Sequence, residues 1–233
     1  MVKMPKKAVR HLRKINLPDY SKREETVNMI THTVGGGFAV ISLFMCIIKA
    51  AWHNDVAALI SGFIYGVSMI VVYSISSVYH GLDPDKTFFG KVVMRVIDHC
   101  DIYGLIVGSF APVAMTGLRR ASPKLAWISF SIVCVTAIIG IVFTAIDFKK
   151  YRIISYSAYF VAGWSVLMTV KMLLTIYPKR FFILLVIGGA VYTMGMIFFA
   201  LEKKGYRYSH SVFHIFILAG SIIQFIPIFV YCM

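Results

Sequence analysis

Acidic residues are scarce in this 233-residue chain, ten Asp and Glu against 24 Lys and Arg, leaving a formal charge of +14. No recognisable nucleic-acid module accompanies that excess, so charge alone does not make this a nucleic-acid binder. Cysteine is sparse: Cys46, Cys100, Cys134 and Cys232 show no Cys-x-x-Cys spacing and provide no disulfide framework. Linkers, low-complexity tracts and internal repeats are absent, which excludes a string of separate modules. No Ser-His-Asp arrangement has the local context of a nucleophile elbow. The triplet Gly35-Gly36-Gly37 follows no strand, which argues for close helix packing over a phosphate loop.

What the chain has in abundance is apolar sequence, 59% of residues with a mean hydropathy of +0.78. It falls into stretches near the ~20 residues needed to cross a bilayer core. We place spans at 27–49, 56–80, 95–117, 125–146, 153–176, 181–201 and 210–232. They are too long and continuous for barrel strands, and lipid admits only helices or closed barrels. The expectation is an all-α integral membrane protein with seven transmembrane helices, multi-pass in the cell membrane. A basic segment over 1–26 precedes a membrane domain over 27–233. The first span starts after a polar leader and lacks a small-residue cleavage site, so it reads as a signal anchor. Asp147-Phe148-Lys149-Lys150 makes the shortest break, between the fourth and fifth spans. Pro112 and Pro227 fall inside spans and are expected to kink the third and seventh helices.

Basic residues concentrate in alternate connections. The N-terminal segment carries Lys3, Lys6, Lys7, Arg10, Arg13, Lys14, Lys22 and Arg23. Lys86, Lys91 and Arg95 follow, then Lys149, Lys150 and Arg152, then Lys203, Lys204 and Arg207. By the positive-inside rule the N-terminus lies in the cytoplasm and the C-terminus outside. The charge then serves anionic lipid at the cytoplasmic surface, making membrane lipids the expected partners, with no nucleic acid. Lys6 to Lys14 reads equally as a surface-lying helix or a solvated tail. Nothing in the sequence sets an oligomeric state.

This topology gathers polar residues at one depth. Glu24, Glu25, Asn28 and His32 begin the first span, and Ser76 and His80 end the second. Asp98, His99 and Asp101 begin the third, and His210 and His214 begin the seventh. Ionisable groups at membrane depth are costly and are kept for function. His210 and His214, at i and i+4, project from one helix face with Cβ atoms ~5–6 Å apart, a spacing one metal ion bridges. Three imidazoles and one exchangeable oxygen describe a catalytic zinc site, although nitrogen ligands also suit iron, nickel or copper. A proton relay is the competing reading of such histidines. Asp98 is placed to ligate, to hold a zinc-bound water or to take its proton. Ser76, one turn before His80, is placed to hydrogen-bond an imidazole, a water or a developing oxyanion. His99 and Asp101 read equally as support for Asp98 or as side chains reaching for the interface.

Several landmarks together resemble the progestin and adipoQ receptor family, haemolysin III branch. They are Glu25-Thr26-Val27-Asn28-Met29-Ile30-Thr31-His32, Ser76-Ser77-Val78-Tyr79-His80, Asp98 with Gly108-Ser109-Phe110-Ala111-Pro112, and His210-Ser211-Val212-Phe213-His214. They span most of the chain in the family's order. The resemblance implies a seven-helix fold with a cytoplasmic N-terminus. It also implies zinc held by His80, His210 and His214, with Asp98 reaching the metal through water and Ser76 nearby. Relatives in the wider superfamily include ceramidases. The leading expectation is therefore a zinc-dependent intramembrane hydrolase of a lipid amide or ester with a cytoplasm-facing site, Asp98 and Ser76 being its catalytic residues. The alternatives are a pore-forming or cytolytic membrane protein, as the branch name implies, and a receptor or regulator with a structural zinc. Asp101 has no counterpart in the family pattern.

Overall fold

The structure, a computed structural model, describes residues 17–202 and 205–233; the Lys6–Lys14 segment and His11 lie outside the described residues. Seven helices among them are long and apolar enough to cross a membrane. They are α1 (Lys22–Trp52), α2 (Val56–Gly81), α3 (Pro84–Ala121), α4 (Pro123–Asp147), α5 (Arg152–Ile176), α6 (Lys179–Glu202) and α7 (Ser209–Cys232). No strand occurs among the described residues. The chain is a multi-pass membrane protein, as the apolar periodicity implies.

Helix starts follow local chemistry. Ser21 caps α1 in a reciprocal box: its Oγ accepts from the Glu24 N–H at 3.3 Å, and Glu24 Oε2 accepts from the Ser21 N–H at 2.9 Å. Asp55 caps α2 through the Ala57 and Ala58 N–H groups at 3.1 and 3.2 Å, and also pairs with Arg120. Asp83 caps α3, with Pro84 at the first helical position, where its missing N–H costs nothing. This cap starts α3 well ahead of the expected residue 95. The segment 84–94 is too polar to count as membrane span, yet it continues the same helix. A break at Thr87 (φ −135°, ψ 42°) marks where the first turn joins the long run. Likewise α1 starts at Lys22, inside the basic segment.

Pro112 behaves as expected. A π-helical stretch, Ala114–Leu118, follows it directly, with the helix broken at Thr116 (φ −102°, ψ −107°). Pro227, also expected to kink its helix, leaves α7 helical through to Cys232. Helix α5 contains its own 3-10 stretch at Ser165–Thr169, which no proline announces.

The packing inverts that of a soluble protein. On α1 the buried face is Asn28, His32, Gly35, Ala39, Ser42, Cys46 and Ala50, while Ile41, Phe44 and Ile48 point outward. Small residues let helix backbones approach where lipid removes the hydrophobic drive between helices. Gly35 shows the need: a Cβ there would sit 2.5 Å from the Tyr73 ring. The Tyr73 hydroxyl in turn donates to Ser221 of α7 at 2.6 Å, so α1, α2 and α7 meet around one ring. Helix α1 packs on α2 and α7, α2 on α3, α3 on α4, α4 on α5, and α6 on α7. All four cysteines are free.

Candidate metal centre

The N-terminal ends of α1, α3 and α7 meet the C-terminal ends of α2 and α6 at one end of the bundle, and the histidines gather there. Helix α2 delivers His80 in its last turn, and the first two turns of α7 deliver His210 and His214. All three are at most 4% exposed. One ring nitrogen from each lies within 4.8 Å of the other two. His210 Nε2 and His214 Nε2 are 3.0 Å apart, and His80 Nε2 is buried without a hydrogen-bond partner among the described residues.

The opposite nitrogens are all engaged. His80 Nδ1 lies 2.5 Å from Glu25 Oε2, and His210 Nδ1 lies 2.9 Å from Glu202 Oε2. His214 Nδ1 lies 3.3 Å from the Asn28 carbonyl oxygen. Carboxylates and a carbonyl accept only, so each Nδ1 carries the proton and each Nε2 presents a lone pair. Two lone pairs facing each other at 3.0 Å repel in a dry site unless a cation lies between them. Ligand nitrogens on a tetrahedral metal at ~2.0 Å stand ~3.3 Å apart, close to what is seen. The donor set and its orientation therefore fit a metal ion that takes nitrogen ligands.

Further contacts lock the holders of Nδ1. Lys91, 2% exposed, donates to Glu25 Oε1 at 2.6 Å and to the Leu82 carbonyl at 2.8 Å. Tyr20, just before α1, donates to Glu202 Oε1 at 2.5 Å. Burial, and then the neighbouring Glu202 charge, hold the Tyr20 phenol well above the usual tyrosine range, so it stays a donor. Ser211 donates to Asn28 Oδ1 at 2.5 Å, and the Tyr208 N–H donates to Glu24 Oε1 at 2.8 Å, tying the start of α7 to α1.

Asp98 stands apart from the three-histidine set. Its Oδ2 is 3.6 Å from His99 Nδ1, and Ser76 lies beside it. The His99 Nδ1 itself has no hydrogen-bond partner among the described residues, while the His99 carbonyl accepts from the Tyr159 hydroxyl at 2.5 Å. Asp101 is different: both its carboxylate oxygens are buried without a hydrogen-bond partner among the described residues, and nothing in the structure accounts for it.

Two hollows flank the histidines. A polar one of about 750 Å³ is lined by Tyr20, Asn28, Arg95, His99, Glu202 and His210. A largely apolar one of about 320 Å³ reaches into the bundle, with His32, Ser76, Asp98 and His214 at its polar end and residues such as Ile106, Phe160 and Met196 beyond. The centre therefore borders a polar opening on one side and a lipid-like slot on the other.

Sequence reasoning found the three imidazoles, Asp98 and Ser76, and the structure brings them to one region. It assigned no role to Glu25, Asn28, Glu202, Tyr20 or Lys91. Glu25 and Asn28 had a signal in the 25–28–32 spacing, which puts them and His32 on one face of α1. Glu202 had none, since an acid beside Lys203 and Lys204 reads as part of a charged helix end.

Fold and site together define a seven-helix integral membrane protein with a buried, metal-competent histidine cluster. The chain belongs to the haemolysin-III related family, whose match covers residues 20–225. It is similar to Hemolysin-3 of Bacillus cereus, 32% identical over 90% of this chain and 92% of the relative. The Hemolysin-3 homolog of Bacillus subtilis (strain 168) is 33% identical over 91% and 96%. A more distant likeness links it to the human Monocyte to macrophage differentiation factor, 23% identical over 74% of this chain and 70% of that one.

Proposed function

We propose that the chain is a zinc-dependent intramembrane hydrolase of a lipid amide or ester, with its polar opening on the cytoplasmic side. The observation that carries the reading is the convergence of three Nε2 lone pairs, each fixed by an acceptor on Nδ1, beside an apolar slot that holds Asp98 and Ser76.

In this reading His80, His210 and His214 hold zinc through Nε2, and Glu25, Glu202 and the Asn28 carbonyl orient them. Zinc in such a site supplies Lewis acidity towards a carbonyl and lowers the pKa of water towards neutrality. The apolar slot takes the acyl chain and excludes bulk water, while water enters from the polar hollow at His210. Asp98 accepts a proton from the attacking water as the new C–O bond forms. Ser76 donates a hydrogen bond to the carbonyl oxygen as negative charge grows there. When the C–N or C–O bond breaks, Asp98 returns the proton to the leaving amine or alcohol.

Metal analysis of purified wild type and His80→Ala, run beside hydrolysis of a panel of lipid amides and esters, tests the reading. Joint loss of metal and turnover is the expected outcome. A wild type with full metal occupancy that cleaves nothing in the panel would count against hydrolysis.

The name of the bacterial relatives supports a second reading, a cytolytic or pore-forming membrane protein. Ion conductance by purified protein, unchanged by His80→Ala, would favour it over hydrolysis.

A further inference from the structure

Three polar residues of α1 reach the histidines: Glu25, Asn28 and His32. Two of them have clear work. Glu25 holds His80, and Asn28 holds His214. His32, one turn deeper, holds nothing. Its ring is 4% exposed, and neither Nδ1 nor Nε2 has a hydrogen-bond partner among the described residues.

An imidazole in that position is not loosely placed. It stacks on the His214 ring, with centroids 3.6 Å apart and planes 17° from parallel. It also meets Tyr73 edge-on at 5.1 Å and 89°. Stacking on one side and an edge contact on the other fix the ring plane and leave the nitrogens to point elsewhere. Apolar packing alone would be met by Phe at no desolvation cost, whereas a buried donor and acceptor left unpaired are penalised.

The surroundings say what pairs with it. His32 lines the apolar slot at the same end as Ser76 and Asp98. Other buried unpaired hydroxyls, such as those of Tyr65 and Ser42, do not border that slot. A neutral imidazole offers one N–H donor and one acceptor nitrogen. A molecule lying in the slot with an aliphatic tail and a carbonyl at its polar end would satisfy the donor. Resting on the hydrolase reading above, we infer that His32 is a substrate-binding residue that donates a hydrogen bond to the acyl carbonyl of a lipid amide or ester. It lies outside the three-histidine ligand set, and its part is to seat the carbonyl between Ser76 and the metal centre.

His32→Phe tests this directly, because it keeps a flat ring against His214 and Tyr73 while removing both nitrogens. Metal content and thermal stability of the purified variant are measured first, and both are expected to match wild type. Binding is then measured for two fluorescent probes of equal length, an N-alkyl dodecanamide and a dodecyl thioether that lacks the carbonyl. The variant is expected to bind the amide about tenfold more weakly, the equivalent of one hydrogen bond, and the thioether unchanged. His32→Gln, which restores a side-chain N–H donor, should recover part of the amide affinity.

Equal amide affinity in wild type and His32→Phe would overturn the inference and leave the hydrolase reading standing. Equal weakening for both probes would overturn it too, since the ring would then be acting only by packing. Carbonyl-dependent binding without any turnover would uphold His32 and count against hydrolysis. Wild type that binds neither probe would overturn both.

Discussion

Glu24 and Glu25 are neighbours in sequence with different tasks. Glu24 closes the capping box with Ser21 and reaches the Tyr208 N–H, which is helix-end chemistry. Glu25, a hundred degrees round the helix, turns inward to a buried lysine and to His80. Nothing in the composition of the pair separates these roles; only the register of α1 does. Outer partners of metal-binding histidines are worth 10–100-fold in metal affinity. Glu25→Gln keeps the size of the side chain but removes the charge from His80 and Lys91. We expect metal affinity to fall by about 10- to 100-fold with the helical content unchanged, as followed by competition with a chromogenic chelator. Unaltered affinity would show that Glu25 serves Lys91 alone.

At the level of the helix, α1 acts as the template of the site, because Glu25, Asn28 and His32 all reach the histidines and the buried face of Asn28 and His32 continues to Gly35. The close approach at Gly35 sets the position of Tyr73, and Tyr73 bounds the ring of His32. Gly35→Leu would force that contact apart. Overpacking of this kind typically costs ~1–3 kcal/mol, so a lower unfolding temperature in detergent is expected. The same change at Gly37, where an added Cβ meets nothing within 4 Å, should leave it unmoved. Existence and order of the helices were legible from apolar runs because lipid leaves no other solution. Their ends were less so. The polar first turns of α3 extend a helix whose membrane-facing part alone has a hydropathic signature, and the 3-10 stretch in α5 has no residue that demands it. The site was legible to the extent that its three histidines stand at i and i+4 or close a span. Glu202 and Lys91 became part of it only through three-dimensional contact, since helix-end acids and bases ordinarily serve caps, dipoles or the interface.

Across the whole molecule, the fold joins three environments at one point. Outward-facing Ile and Phe meet lipid, a polar hollow opens at one end of the bundle, and an apolar slot runs inward from the same histidines. A site that must bring water to a membrane-embedded carbonyl needs these three together, and membership of the haemolysin-III related family is consistent with a shared architecture rather than with any one activity. The claim on which the functional reading rests is that His80, His210 and His214 hold a metal ion. Its most direct test is the metal content, by elemental mass spectrometry, of purified wild type and of the His210→Ala, His214→Ala double variant. One zinc per wild-type chain and none in the variant is the expected result. Zinc retained by the double variant, or a metal-free wild type purified without chelator, would contradict it.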